Sequence, residues 1–228
     1  ASAFNDIGDK DLGACLSNLL TERNSLDRVT EHSLIHALIR NARPDPKGLR
    51  DYLPVKARAL LIAHDQAPNG QLPPDAVLRF VGAEDLALRA KALEIVQLHP
   101  EWSKEVEVVL QHLLEFGEDF TYRDMDAIHG LLFHFGNQPA VQARITTALT
   151  SEETDHELVQ GLLKGLAQLR GSHWPMAWHD CVRHHLQKGS DKIKLEAIET
   201  IGIARVDSLA PELDAIVRNR LKAPEART

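Results

Sequence analysis

The 228-residue chain lacks the features that membrane-spanning, sheet-rich and covalently stapled proteins depend on. No stretch of about 18 apolar residues occurs, so no segment is expected to insert into a membrane as a helix. Only 5% of the residues are aromatic, and no run alternates apolar and polar residues between hairpin turns, which excludes a strand-dominated fold. Two cysteines, Cys15 and Cys181, are too few to fix a redox compartment. Lying 166 residues apart, they are badly placed to bridge in an elongated molecule. Basic charge is the minority, with 26 Lys and Arg against 33 Asp and Glu and a formal net charge of -7. A phosphate backbone needs a basic stripe, so nucleic acid is not expected as a partner. Residues Ala1-Ser2-Ala3-Phe4-Asn5-Asp6 have no basic start and no apolar run, and no targeting segment is read in them. There is no Gly-x-Ser-x-Gly elbow, no glycine-rich phosphate loop and no carboxylate pair whose placement can be argued. Accordingly no catalytic residue, cofactor ligand or cofactor is assigned.

What the chain does have is a rhythm. A small residue followed by an aliphatic one recurs as Ala59-Leu60, Ala92-Leu93, Ala127-Ile128, Gly161-Leu162 and Ala197-Ile198, at steps of 33, 35, 34 and 36 residues. A spacing that holds while the surrounding sequence drifts marks one supersecondary unit copied and stacked. The period within each unit is helical. Leu88, Ala92 and Ile95 form one stripe and Leu86, Ala90, Leu93 and Val96 a second beside it, so a helix contacted on two sides is expected. Residues 104 to 116 carry a single wide stripe of Val106, Val109, Leu110, Leu113 and Phe116, as suits an outer-layer helix.

Prolines and glycines punctuate this pattern at Pro44-Asp45-Pro46, Pro68-Asn69-Gly70, Pro73-Pro74, His99-Pro100 and Gly136-Asn137-Gln138-Pro139. The resulting helices are 10–21, 26–41, 46–52, 54–66, 74–82, 85–98, 102–116, 121–135, 139–149, 152–169, 175–187, 191–205 and 209–221. Thr150 and Glu153 have capping-box spacing ahead of the run through Leu158, Leu162 and Leu166. The acidic runs at Glu118-Asp119 and Glu152-Glu153 suit helix starts, where the dipole favours negative charge.

The fold class read from this pattern is all-α: an α-α superhelix of about six helical hairpins, HEAT-like, forming one domain over 1–228. In it each small residue would let the neighbouring helix approach closely. The basic residue three positions earlier, Lys56, Arg89 or Lys194, would stand half-solvated at a groove edge. The first step is irregular, since Ser33 lies only 26 residues before Ala59. A shortened unit around Asp45 to Leu53 would account for it.

Twelve histidines invite a test for metal. His32 and His36 stand at i, i+4, a spacing at which two imidazoles can share an ion, but a third ligand is missing. Cys181 can pair with His184 or His185 in His173-Trp174-Pro175-Met176-Ala177-Trp178-His179-Asp180-Cys181-Val182-Arg183-His184-His185, where four ligands would be needed for a structural zinc. The simpler reading buries Cys181, packs Trp174 and Trp178 between layers and leaves the histidines on a wet face. No metal ligand is assigned, and a metal or small-molecule site around Cys181 is the alternative function.

The phrases Leu26-Asp27-Arg28-Val29-Thr30-Glu31-His32-Ser33-Leu34-Ile35-His36-Ala37-Leu38-Ile39, Val55-Lys56-Ala57-Arg58-Ala59-Leu60-Leu61-Ile62-Ala63-His64-Asp65-Gln66, Pro73-Pro74-Asp75-Ala76-Val77-Leu78 and His99-Pro100-Glu101-Trp102 follow one another in an order that carries a resemblance. They resemble the helical-repeat region of large planctomycete and verrucomicrobial proteins of the membrane-bound dehydrogenase type with a haem-binding Cys-x-x-Cys-His domain. The resemblance is strongest over 25–105 and continues in Gly136-Asn137-Gln138-Pro139-Ala140-Val141-Gln142. It implies a non-catalytic scaffold or protein-interaction module, a fragment of a larger exported or periplasmic protein, placed between a propeller and a cytochrome c domain. The expected partner is a protein or the flanking domains of the same chain. This sequence has no Cys-x-x-Cys-His and no propeller, so no family catalytic residue maps onto it.

Overall fold

The computed structural model describes residues 27–41, 54–66, 72–115, 121–169 and 174–222, and all regular structure among them is helical. The expected helices 10–21 and 46–52, the shortened unit around Asp45 to Leu53, Cys15 and Glu118-Asp119 lie outside the described residues. The chain divides into two compact units, Ala1–Glu105 and Val106–Thr228.

In the first unit, α1 (Arg28–Asn41) packs on α2 (Pro54–Asp65), α2 on α4 (Leu86–Gln97), and the short α3 (Pro74–Leu78) on α4. Proline opens α2 and occupies the first turn of α3, where its missing amide costs nothing. Asp85 caps α4 by accepting the Leu88 amide at 2.7 Å. The core is Ala59, Leu60 and Leu61 of α2, Ala76, Val77 and Leu78 of α3, and Leu88, Ala92, Ile95 and Val96 of α4. Trp102, on a 3-10 turn at Pro100–Trp102, is buried as well.

Four expectations fail here. Helix α3 stops at Leu78 rather than 82, because Arg79 to Gly82 turn to lead into the Asp85 cap. The two stripes on α4 are covered unequally: Leu88, Ala92 and Ile95 are all buried, whereas in the second stripe Val96 is buried, Leu93 half-buried and Leu86 69% exposed. Arg89 is buried rather than half-solvated, and its Nη1 donates to the Ala83 carbonyl at 3.1 Å, which gives the guanidinium a partner indoors. Ser33 is exposed and its hydroxyl donates to the Val29 carbonyl, so it does not occupy the buried small position.

The second unit contains most of α5 (Ser103–Glu115), then α6 (Tyr122–Phe135), α7 (Pro139–Thr150), α8 (His156–Ala167), α9 (Met176–Lys188), α10 (Asp191–Ala204) and α11 (Ala210–Lys222). Here α6, α8 and α10 lie against one another in turn, α7 lies against α9, and α7–α8 and α9–α10 close the pairs between the two rows. The residue at each step of the rhythm sits at these contacts: Ala127, Gly161 and Ala197 are fully enclosed. A Cβ on Gly161 would fall 1.9 Å from Met125 Cε, so the side chain of Met125 on α6 occupies the space that this glycine of α8 leaves open. Ile128, Leu131, Leu132 and Phe135 of α6 and Leu162, Leu163 and Leu166 of α8 fill the core, each contributing about 1.5–3 kcal/mol on full burial.

The Thr150–Glu153 capping box is absent. Thr150 ends α7, donating its hydroxyl to the Thr146 carbonyl, and α8 begins only at His156. Glu152 and Glu153 therefore occupy the turn, and Glu157 is the acidic residue in the first turn of α8. A carboxylate instead secures α6, where Asp124 Oδ2 accepts the Thr121 amide at 2.8 Å and its hydroxyl at 2.6 Å. Arg205 ends α10 in the left-handed conformation at φ 58°.

Candidate functional site

Of the stretch singled out for metal, Met176 to His185 lie on α9, where Trp178, Cys181, Val182 and His185 face inward; His173 lies outside the described residues. Trp178 is 1% exposed and donates its indole N–H to the Gln142 carbonyl at 3.3 Å. Cys181 is buried, and burial first, then the charge of Asp180, pushes its thiol pKa up. Such a thiol stays protonated and unreactive. His185 is also buried, against the expectation of a wet face, because its Nε2–H donates to the Leu149 carbonyl at 2.8 Å. Burial holds its pKa below the ordinary imidazole value. With Nε2 committed to a carbonyl, Cys181 and His185 share a helical turn but do not converge on a common open point. His184 is exposed, its ring centroid 5.6 Å from that of His185.

His32 and His36 on α1 are both exposed, with rings edge to face at 4.5 Å. Among the described residues no three His, Cys, Asp or Glu side chains come together as metal ligands would. On the far side of α9, Arg183 Nε donates to Glu212 Oε1 at 2.7 Å and Nη1 to Asp180 Oδ1 at 2.6 Å. The hydrogen bond from Arg183 holds the Glu212 pKa down. His179 Nδ1 lies 2.7 Å from Ser208 Oγ.

A second feature was not read from the sequence. Side chains reach one repeat along and bond to helical carbonyls, that of Leu149 lying in the last turn of α7, where no amide of its own helix follows to serve it. His129 Nε2–H donates to Gly161 at 2.8 Å, Thr200 Oγ1 to Leu163 at 3.1 Å, and Trp178 and His185 act likewise on Gln142 and Leu149. The signal available was a polar or indole side chain within one turn of the buried small residue, as His129 is to Ala127 and Thr200 to Ala197. Position alone could not separate such a side chain from one in solvent.

The described cavity of this unit is a groove of about 400 Å³ where the end of α5, the second half of α7 and the turn 151–155 meet the start of α8. Leu114, Ala148 and Leu158 make its floor, and Glu115, Glu153 and Asp155 stand around it. Arg144, at one edge, is held by Glu107, Nε to Oε1 at 3.1 Å. Because the helix starts only at His156, Glu153 stands too far ahead of its first turn for the expected helix-dipole role and borders the groove instead.

Comparisons with protein-family models, with curated proteins and with solved structures found no match to this chain.

Proposed function

We propose that the chain is a HEAT-like α-solenoid acting as a non-catalytic scaffold or protein-interaction module. The observation that carries this reading is the set of bonds between helices one repeat apart. His129 to Gly161, Lys164 to Glu196, Trp178 to Gln142, His185 to Leu149 and Thr200 to Leu163 span 32 to 37 residues, the period of the buried small residue. Units that bury their cores against neighbours leave the outer faces of their helices free to carry partners. On the family resemblance, the parent protein is exported and the chain spaces a propeller from a cytochrome c domain.

The test is a binding experiment with the propeller and haem segments encoded next to this chain. A stable complex, with no turnover contributed by the chain itself, is the expected result. Flanking sequence that encodes neither domain would remove the spacing role. Elemental analysis checks the alternative, since about one equivalent of zinc, copper or iron that vanishes in Cys181→Ala/His185→Ala would mark a metal site.

A further inference from the structure

We propose that the groove between α5, α7 and the turn 151–155 receives an arginine side chain from an extended segment of a partner protein. This rests on the interaction reading and names the chemistry of its partner.

The groove's size, about 400 Å³, is at the small end of the range of about 300–1,000 Å³ typical of ligand clefts, enough for a side chain and its flanks but not a domain. Its floor is apolar: Ala148 and Leu158 are buried to 8% exposure and Leu114 is half-buried. Such a floor takes the stem of a long side chain, and the head must then suit the rim. The rim is acidic, with Glu115, Glu153 and Asp155 against Arg144 alone. Arg144 already has its counter-charge in Glu107, whereas among the described residues neither Glu153 nor Asp155 has a side-chain hydrogen bond or ion pair. The neutral lining leans the same way. Thr147 spends its hydroxyl proton on the Ala143 carbonyl and Gln111 Nε2 donates to Glu115, whereas Ser151 Oγ accepts the Glu153 amide and keeps its own proton to donate. The mouth therefore offers acceptors in excess of donors, which repels phosphates and carboxylates and favours a donor-rich cation.

Guanidinium fits better than ammonium. Its plane can lie on apolar surface, it sheds water more readily, and its fork can address two carboxylates at once. The chain's net charge of -7 adds a long-range attraction for a basic partner.

The experiment titrates the full isotope-labelled chain with acetyl-Leu-Arg-Leu-amide and with the same peptide carrying citrulline, an uncharged isostere of arginine. The arginine peptide should shift amides in 111–115, 147–148 and 151–158 and little else. Affinity should fall about tenfold for the citrulline peptide, for Glu153→Gln/Asp155→Asn, and in about 1 M salt, where the screening length is about 3 Å. Both substituted carboxylates lack partners, so an unchanged melting temperature verifies that the variant is folded. Equal binding of the citrulline peptide, shifts centred elsewhere, or no shift at millimolar peptide would overturn the proposal. A flanking domain that binds the double variant as tightly as the parent chain would sink the groove while leaving the scaffold reading intact. Failure of every domain to bind, with the peptide still seated, would do the reverse.

Discussion

Between α1 and α2, Arg58 reaches Glu31 with two N–H donors on one carboxylate oxygen, at 3.1 Å and 2.6 Å, and both side chains stay about a fifth exposed. Between α8 and α10, the hydroxyl of fully buried Thr200 is shared between the Glu196 carbonyl of its own helix, at 2.7 Å, and the Leu163 carbonyl across the joint, at 3.1 Å. A like contrast recurs in the two units, although the second also carries ion pairs at Arg144–Glu107, Lys164–Glu196 and Arg183–Glu212 beside its buried bonds. In the first, His99 stacks on Trp102 at 4.1 Å, with Nε2 3.8 Å from Asp65 and Nδ1 2.7 Å from Glu101. In the second, Trp178 and His185 grip carbonyls in the core. A half-exposed ion pair gains little over hydration and weakens with salt. A buried side chain aimed at a carbonyl fixes the register of two helices, because sliding either would strand a donor in a dry interior. The joints of the second unit should therefore tolerate less change than those of the first.

The sharpest way to break this contrast is to empty the Trp178 site. Trp178→Ala removes a side chain that is 1% exposed and its bond to Gln142, and should cost about 3–5 kcal/mol by denaturant unfolding. A cost below about 1 kcal/mol would mean that α7 and α9 are not joined there.

A pH series separates the joints next. His185 is neutral in the folded chain, its pKa lowered by burial and then by the charge of His184, with the Leu149 bond acting in the opposite sense. The unfolded chain takes up a proton at about pH 6.5 and the folded chain resists. The neutral form's stabilisation is thus present above about pH 6.5 and is lost as pH falls through that value toward the lower folded pKa. Burial also lowers the pKa of His134, which adds in the same direction. The melting temperature should therefore drop between about pH 7 and 5.5. In His185→Gln, where an amide N–H can still donate to Leu149, the drop should shrink. An unchanged slope in that variant would assign the effect to other histidines.

These joints also mark how far the sequence could be read. The helices of 121–135, 139–149 and 191–205 were legible to within a residue or so, because proline and capping residues bound them and their apolar period is strong. Burial of Ala92, Ala127, Gly161 and Ala197 was legible from the 34-residue rhythm alone. What escaped depended on direction. His185 and His184 are adjacent, and a rotation of about 100° between them decides which meets a carbonyl and which meets water. The groove escaped for a similar reason: Thr150–Glu153 spacing suits a cap, but Thr150 keeps its hydroxyl on its own helix and delays the start of α8. A competition between two local hydrogen bonds does not show in spacing.

At the first unit's joint the expected loss is smaller. Arg58→Met keeps the stem and removes the charge, and should cost about 1 kcal/mol at low salt. Most of that difference should disappear in about 1 M salt, where the parent pair is screened too. A loss above about 3 kcal/mol that salt does not touch would give this pair the character of a buried one and erase the contrast.

The smallest change calibrates the rest by avoiding every joint. Gly202 lies inside α10, exposed, and a Cβ built on it meets nothing within 4 Å. Gly202→Ala should stabilise by about 0.5 kcal/mol, since alanine loses less backbone freedom on entering a helix. Gly165 on α8 is the opposite case: its Cβ would come within 2.8 Å of the His129 ring and 3.1 Å of Leu132, so the same substitution there works against the bond from His129 to Gly161. Gly161 falls between them, because the atoms in the way belong to the flexible end of Met125. Thermal melts of the three alanine variants should order Gly202 above Gly161 above Gly165. If Gly165→Ala matched Gly202→Ala, the α6–α8 contact would have room to spare, and the strict register argued for the second unit would not hold.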